Sequence, residues 1–115
     1  MWICTNNAFL SIVNKDCGPD ELLVRSRRPK DIRNVFPDAD VRETIGNDYQ
    51  FRAVLPKAVV GAKLADLAMA INYPNFKNSV GDKKLATAYG RVWHIMADLQ
   101  PVPPYASPRQ RGLPL

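Results

Sequence analysis

The sequence predicts an α+β domain in two layers: a mostly antiparallel sheet of about five strands with helices on one face, in the order β-β-β-α-β-β-α-α. Three observations predict it. Up to residue 56, short β-rich runs alternate with turn residues. A brief helical pattern between Pro29 and Pro37 interrupts those runs, and from Lys57 onward the apolar period changes from two to three or four. A split βαβ, ferredoxin-like arrangement satisfies this order, and so do other antiparallel two-layer sandwiches.

The first strands are Trp2 to Thr5 and Ala8 to Val13. Asn6-Asn7 between them can supply a tight hairpin turn, because asparagine tolerates positive φ. Lys15-Asp16-Cys17-Gly18-Pro19-Asp20 is turn material, and Glu21 to Arg27 resumes an extended pattern. Pro29 suits a first helical turn, where its missing N–H is no loss, and Asp31 favours the positive end of the helix dipole. Ile32, Val35 and Phe36 give this helix an apolar face, and Pro37 ends it. Val41 to Ile45 and Tyr49 to Leu55 then flank the turn Gly46-Asn47-Asp48. Tyr49, Phe51, Ala53 and Leu55 alternate with Gln50, Arg52 and Val54, which puts one apolar face on a core.

Val60, Leu64, Leu67 and Ile71 recur at helical intervals, and Pro74 closes that segment. Asn75 can cap a new turn through Phe76 and Val80, and Gly81-Asp82 marks a break or restart. Leu85, Tyr89, Val92, Met96 and Leu99 fall at spacings of three and four, so a long amphipathic helix ends near Gln100. Beyond it lie five of the ten prolines, which exclude helix and sheet over most of the stretch. The expected organisation is a single α+β domain over 1–100 followed by a flexible Pro-rich tail over 101–115.

Composition bounds the function. With 115 residues there is room for one core, and 46% hydrophobic with 23% charged residues argues against disorder and against fibrous classes. No window approaches the apolar run of a membrane span, and the start has no basic region of a secretory signal, so the expectation is a cytoplasmic protein with no membrane partner. Cys4 and Cys17 are then expected as thiols. The net charge is +5. Residues 1–60 hold nine Lys/Arg against eight Asp/Glu, and residues 61–115 hold seven against three, so most of the excess lies in the second half. Such a balance favours contact with phosphate or acidic surfaces without establishing it.

No catalytic set, cofactor site or metal site is legible. His94 is the only histidine; Asp98 four residues on could orient it as a general base, but no nucleophile accompanies the pair. A solvated helix face explains them more simply. Neither cysteine has a context that lowers its pKa, the two do not make a zinc motif, and no glycine loop matches a phosphate-binding pattern. The clearest charged constellation is Arg25, Arg27, Arg28, Lys30 and Arg33. Strand alternation places Arg25 and Arg27 on one face, Lys30 and Arg33 neighbour each other at i and i+3, and Lys77, Lys83, Lys84 and Arg91 could extend the patch. Its plainer explanation is a sheet edge guarded by charge. Among the aromatics, Phe76 and Tyr89 are expected in the core. Tyr73 beside Pro74 and Trp93 at the margin of the apolar stripe are the candidate protein-interface residues. Pro101-Val102-Pro103-Pro104 could serve as a polyproline ligand.

Asn47-Asp48-Tyr49-Gln50-Phe51-Arg52-Ala53, then Ile71-Asn72-Tyr73-Pro74-Asn75-Phe76-Lys77, then Tyr89-Gly90-Arg91-Val92-Trp93, form a DYx[FY]RA, IxYxNFK and YxxVW pattern. This pattern resembles that of a family of small bacterial and phage proteins to which no activity is assigned. The resemblance covers most of the domain but not the Pro-rich tail, and it implies a small cytosolic domain of bacterial or mobile-element origin with no functional residues to carry over. The expected function is therefore non-enzymatic: binding of a macromolecular partner, another protein or a second copy, through the C-terminal helices. The alternative is nucleic-acid binding by the Arg25–Arg33 patch.

Overall fold

The computed structural model describes residues 1–105. It has a five-stranded antiparallel sheet with the helices Asp31–Val35 and Lys57–Met69 packed on it, and the elements follow the predicted order. The strands are β1 (Trp2–Cys4), β2 (Phe9–Val13), β3 (Glu21–Ser26), β4 (Arg42–Glu43) and β5 (Phe51–Pro56). The helices are α1 (Asp31–Val35), α2 (Lys57–Met69), the single turn α3 (Phe76–Ser79) and α4 (Lys83–Ala97). Spatially the strands run β1-β2-β3-β5-β4. The first three form a meander, α1 carries the chain to the outer edge, and β5 returns beside β3. That order is not the ferredoxin-like one.

The chain divides into two compact units, Met1–Gly81 and Asp82–Leu115. The first contains the whole sheet. Register places Ile12, Val24 and Ala53 in one row across β2, β3 and β5. This row, with Leu10, meets Ile32, Val35 and Phe36 around α1 and Val60 of α2, while Leu64 and Leu67 pack at its border. Side chains alternate across a pleated sheet, so the neighbouring row lies on the opposite face: Trp2, Ser11, Arg25, Arg52 and Arg42, one from each strand.

Several elements are shorter than their sequence patterns. The β4 strand has two residues rather than five, because Thr44 already belongs to the turn: its N–H donates to the Gln50 carbonyl and its hydroxyl bonds the same segment. Gly46 takes φ +95°, among the described residues the one glycine whose backbone conformation demands its lack of a Cβ. The β1–β2 turn closes with Asn6 and Asn7 at negative φ, held by the Thr5 N–H on the Ala8 carbonyl and by the Thr5 hydroxyl. Helix α1 begins at Asp31, two residues after Pro29, and Asp31 is drawn inward: the residue is 3% exposed, and its carboxylate accepts the Phe9 N–H at 3.0 Å and pairs with Arg28 at 2.9 Å. Helix α2 ends at Met69, ahead of Pro74, which leaves Ile71 outside it and exposed. Asn75 caps α3 and Asp82 caps α4, each through a side-chain oxygen that accepts a backbone N–H. Among the described residues, no helix is long and apolar enough to cross a membrane. Of the expected tail, residues 106–115 lie outside the described residues.

Candidate interaction surfaces

Helix α4 carries the most distinctive surface of the second unit. Leu85, Tyr89, Val92, Ile95 and Met96 share one face of α4, and Leu99 continues its line in the turn after the Asp98 C-cap. Only the first part of this face is covered. Leu85 and Tyr89 are 5% and 8% exposed, whereas Val92, Ile95, Met96 and Leu99 are 47%, 68%, 55% and 74% exposed. The spacing predicts a continuous core stripe; burial instead stops after Tyr89. Ile95 is the most telling residue that the sequence pattern passes over, although its position three after Val92 and four before Leu99 marks the same face.

Trp93 flanks this open stripe at 37% exposure. Its ring stacks with Tyr105 at 6.4 Å and 20° and meets the His94 ring edge-on at 5.2 Å. His94 and Asp98 are both exposed and make no hydrogen bond to each other among the described residues, so the imidazole has no carboxylate to orient it. Lys83, Lys84 and Arg91 border one shallow depression of about 320 Å³ along the same helix.

In the first unit Tyr73 is half-buried and tilts against Phe76 at 5.9 Å. It also lines a groove of about 330 Å³ between β1 and the end of α2, with Ile3, Cys4, Leu64, Leu67 and Ile71 among the walls. The groove offers apolar surface and amide groups but no acid–base pair. Tyr73 belongs to this unit and Trp93 to the other.

The basic constellation is largely tied into the fold. Strand β3 is the central strand of the sheet, so Arg25 does not guard an edge. The Arg25 and Arg27 guanidinium groups lie 4.5 and 4.3 Å from the Tyr49 ring centroid, close enough for cation–π attraction. Arg25 also donates to the Ser11 hydroxyl at 2.7 Å, although its Nε is buried without a hydrogen-bond partner. Arg27 donates to the Asp48 carbonyl at 2.8 Å, Arg28 pairs with Asp31, and Arg33 donates to the Ala39 carbonyl at 3.2 Å. Lys30 is exposed. Directly opposed like charges destabilise a sheet, and the row Arg25, Arg52, Arg42 is made tolerable locally. Arg52 meets Asp48 at 3.4 Å and Thr44, Arg42 meets Asp40 at 3.1 Å, and Arg25 rests on Tyr49.

A polar cleft of about 520 Å³ beside β4 and β5 is bordered by Asp16, Asp40, Arg42, Thr44 and Arg52. Its arginines already face carboxylates. The Cys17 thiol donates to the Glu21 carbonyl at 3.4 Å, and Cys4 and Cys17 are not joined. Among the described residues, no three His, Cys, Asp or Glu side chains gather as metal ligands.

The fold and these surfaces define a small α+β protein in which α4 and the turn after it carry a run of four exposed apolar side chains. Comparison of the chain with protein-family models, curated proteins and solved structures found no match.

Proposed function

We propose that this protein acts by binding another macromolecule, in the first place a protein, through the open stripe of α4. The supporting observation is the abrupt change along a single helix face, from Leu85 and Tyr89 under 10% exposed to four large aliphatic side chains about half exposed or more. Contiguous apolar surface of this kind marks interaction sites. Its i, i+3, i+4, i+7 arrangement is the one by which a helix is read in a complementary groove or by another helix. Trp93 at its flank, held by the Tyr105 and His94 rings, is a residue type enriched in binding hot spots.

The test is retention of proteins from lysate on the immobilised full chain, compared with Ile95→Asp and Trp93→Ala. Retention by the wild type, lost in Ile95→Asp and weakened in Trp93→Ala, is the expected result. A wild type that holds neither a foreign protein nor a second copy of itself would refute the reading. Nucleic-acid binding by Arg25, Arg27, Arg28, Lys30 and Arg33 has less support, because four of those five side chains are engaged within the fold. It predicts salt-sensitive retention of DNA or RNA that weakens on Arg25→Ala and Arg27→Ala.

A further inference from the structure

We infer that the occupant of the α4 stripe is a second copy of this chain, with the two α4 helices packed antiparallel about a two-fold axis near Ile95. This rests on the reading of α4 as the binding surface and names its partner.

The first argument is geometric. Val92, Ile95 and Met96 occupy a, d and e of a heptad in α4, and Leu99, in the turn after the Asp98 C-cap, continues their line, which makes a narrow seam about two turns long. A seam is self-complementary when reversed, since a two-fold axis near its middle sets Val92 of one copy against Leu99 of the other and Ile95 against Met96. At the exposures of Val92, Ile95, Met96 and Leu99 the stripe offers on the order of 500 Å² per copy, so a pair would bury at most about 1,000 Å², at the small end of specific interfaces.

The second argument is electrostatic and fixes the direction. Arg91 stands at the g position, and Asp98, the C-cap of α4 with αR backbone, follows it by seven residues on the same flank of the seam. Both are exposed, and among the described residues neither makes an ion pair. In an antiparallel pair the g flanks face each other, so Arg91 of each copy lies beside Asp98 of the other, offset by about 3 Å along the axis and within side-chain reach, giving two equivalent pairs. A parallel, in-register pair would instead bring Lys83 and Lys84 of both copies side by side. The antiparallel arrangement holds those basic ends roughly 35 Å apart along the helix axis. Charges at such a rim set partner choice and register more than affinity.

The experiment is sedimentation equilibrium of the full chain from about 1 to 300 μM, with circular dichroism as the check on folding. The wild type should show a monomer–dimer equilibrium in the micromolar range. Ile95→Asp should be monomeric throughout with an unchanged spectrum. Asp98→Arg should weaken association about tenfold by opposing like charges. Adding Arg91→Asp to it should restore association to within about threefold, because the swapped pair has the same complementarity.

A wild type that stays monomeric at 300 μM overturns the inference. So does a dimer indifferent to Ile95→Asp, and a swap that fails to rescue overturns the antiparallel pairing. A monomeric wild type that still retains a foreign protein in an Ile95-dependent way leaves the proposed function standing and removes only the second copy as occupant.

Discussion

At the level of single residues, Tyr49 does more than its place in the alternating pattern requires. It is 4% exposed but stands outside the main hydrophobic cluster, with the Arg25 and Arg27 guanidinium groups over its ring. Parity with Phe51, Ala53 and Leu55 would put it on the core face, but its ring lies against Arg25, whose row is on the opposite face, because Tyr49 precedes β5 and is not held to the strand's alternation. Arg25 and Tyr49 meet only once the β3–β5 register is set. Tyr49→Ala should cost about 3 kcal/mol in urea unfolding, from lost packing together with a cation left beside Arg52 without its ring. Tyr49→Phe keeps the ring and should stay within about 1 kcal/mol. If the alanine variant were as stable as the wild type, the stack would be incidental.

The helices show which elements a pattern reveals and which it overextends. The starts of α3 and α4 were legible because capping is local: Asn75 and Asp82 need only a backbone N–H three residues ahead. Asp82→Ala should therefore lower stability by about 1 kcal/mol, and Asp82→Ser should recover most of it. Thermal melts followed by circular dichroism would show this, and identical melting temperatures for all three would deny the cap its role. The open half of α4 was not legible, because periodicity identifies the face of a helix but not the length over which something covers it. Val92, Met96 and Leu99 repeat the pattern of Leu85 and Tyr89 and differ from them only in burial. The shortening of β4 has a similar origin: Thr44 has the side chain of a strand residue, yet its hydrogen bonds serve the turn.

At the scale of the molecule, the fold class and element order followed from the sequence, whereas the strand order β1-β2-β3-β5-β4 required tertiary pairing. The sheet is also unevenly supported. Strand β3 is paired on both sides at Leu23 to Arg25, and β4 contributes two residues at an outer edge. Amide hydrogen exchange should accordingly be slowest in β3, at Leu23 to Arg25, and fastest within the sheet at Arg42 and Glu43. Uniform protection across the five strands would contradict that gradient. The Tyr49 stack has one more consequence. Between Thr44, bonded to the Gln50 carbonyl, and Tyr49, clasped by two arginines, the tip at Gly46-Asn47 is exposed, and no neighbouring atom lies within 4 Å of where a Gly46 side chain would begin. With both ends of the loop fastened independently of its length, this tip is the place to splice in an epitope or a guest domain without disturbing the strands it joins.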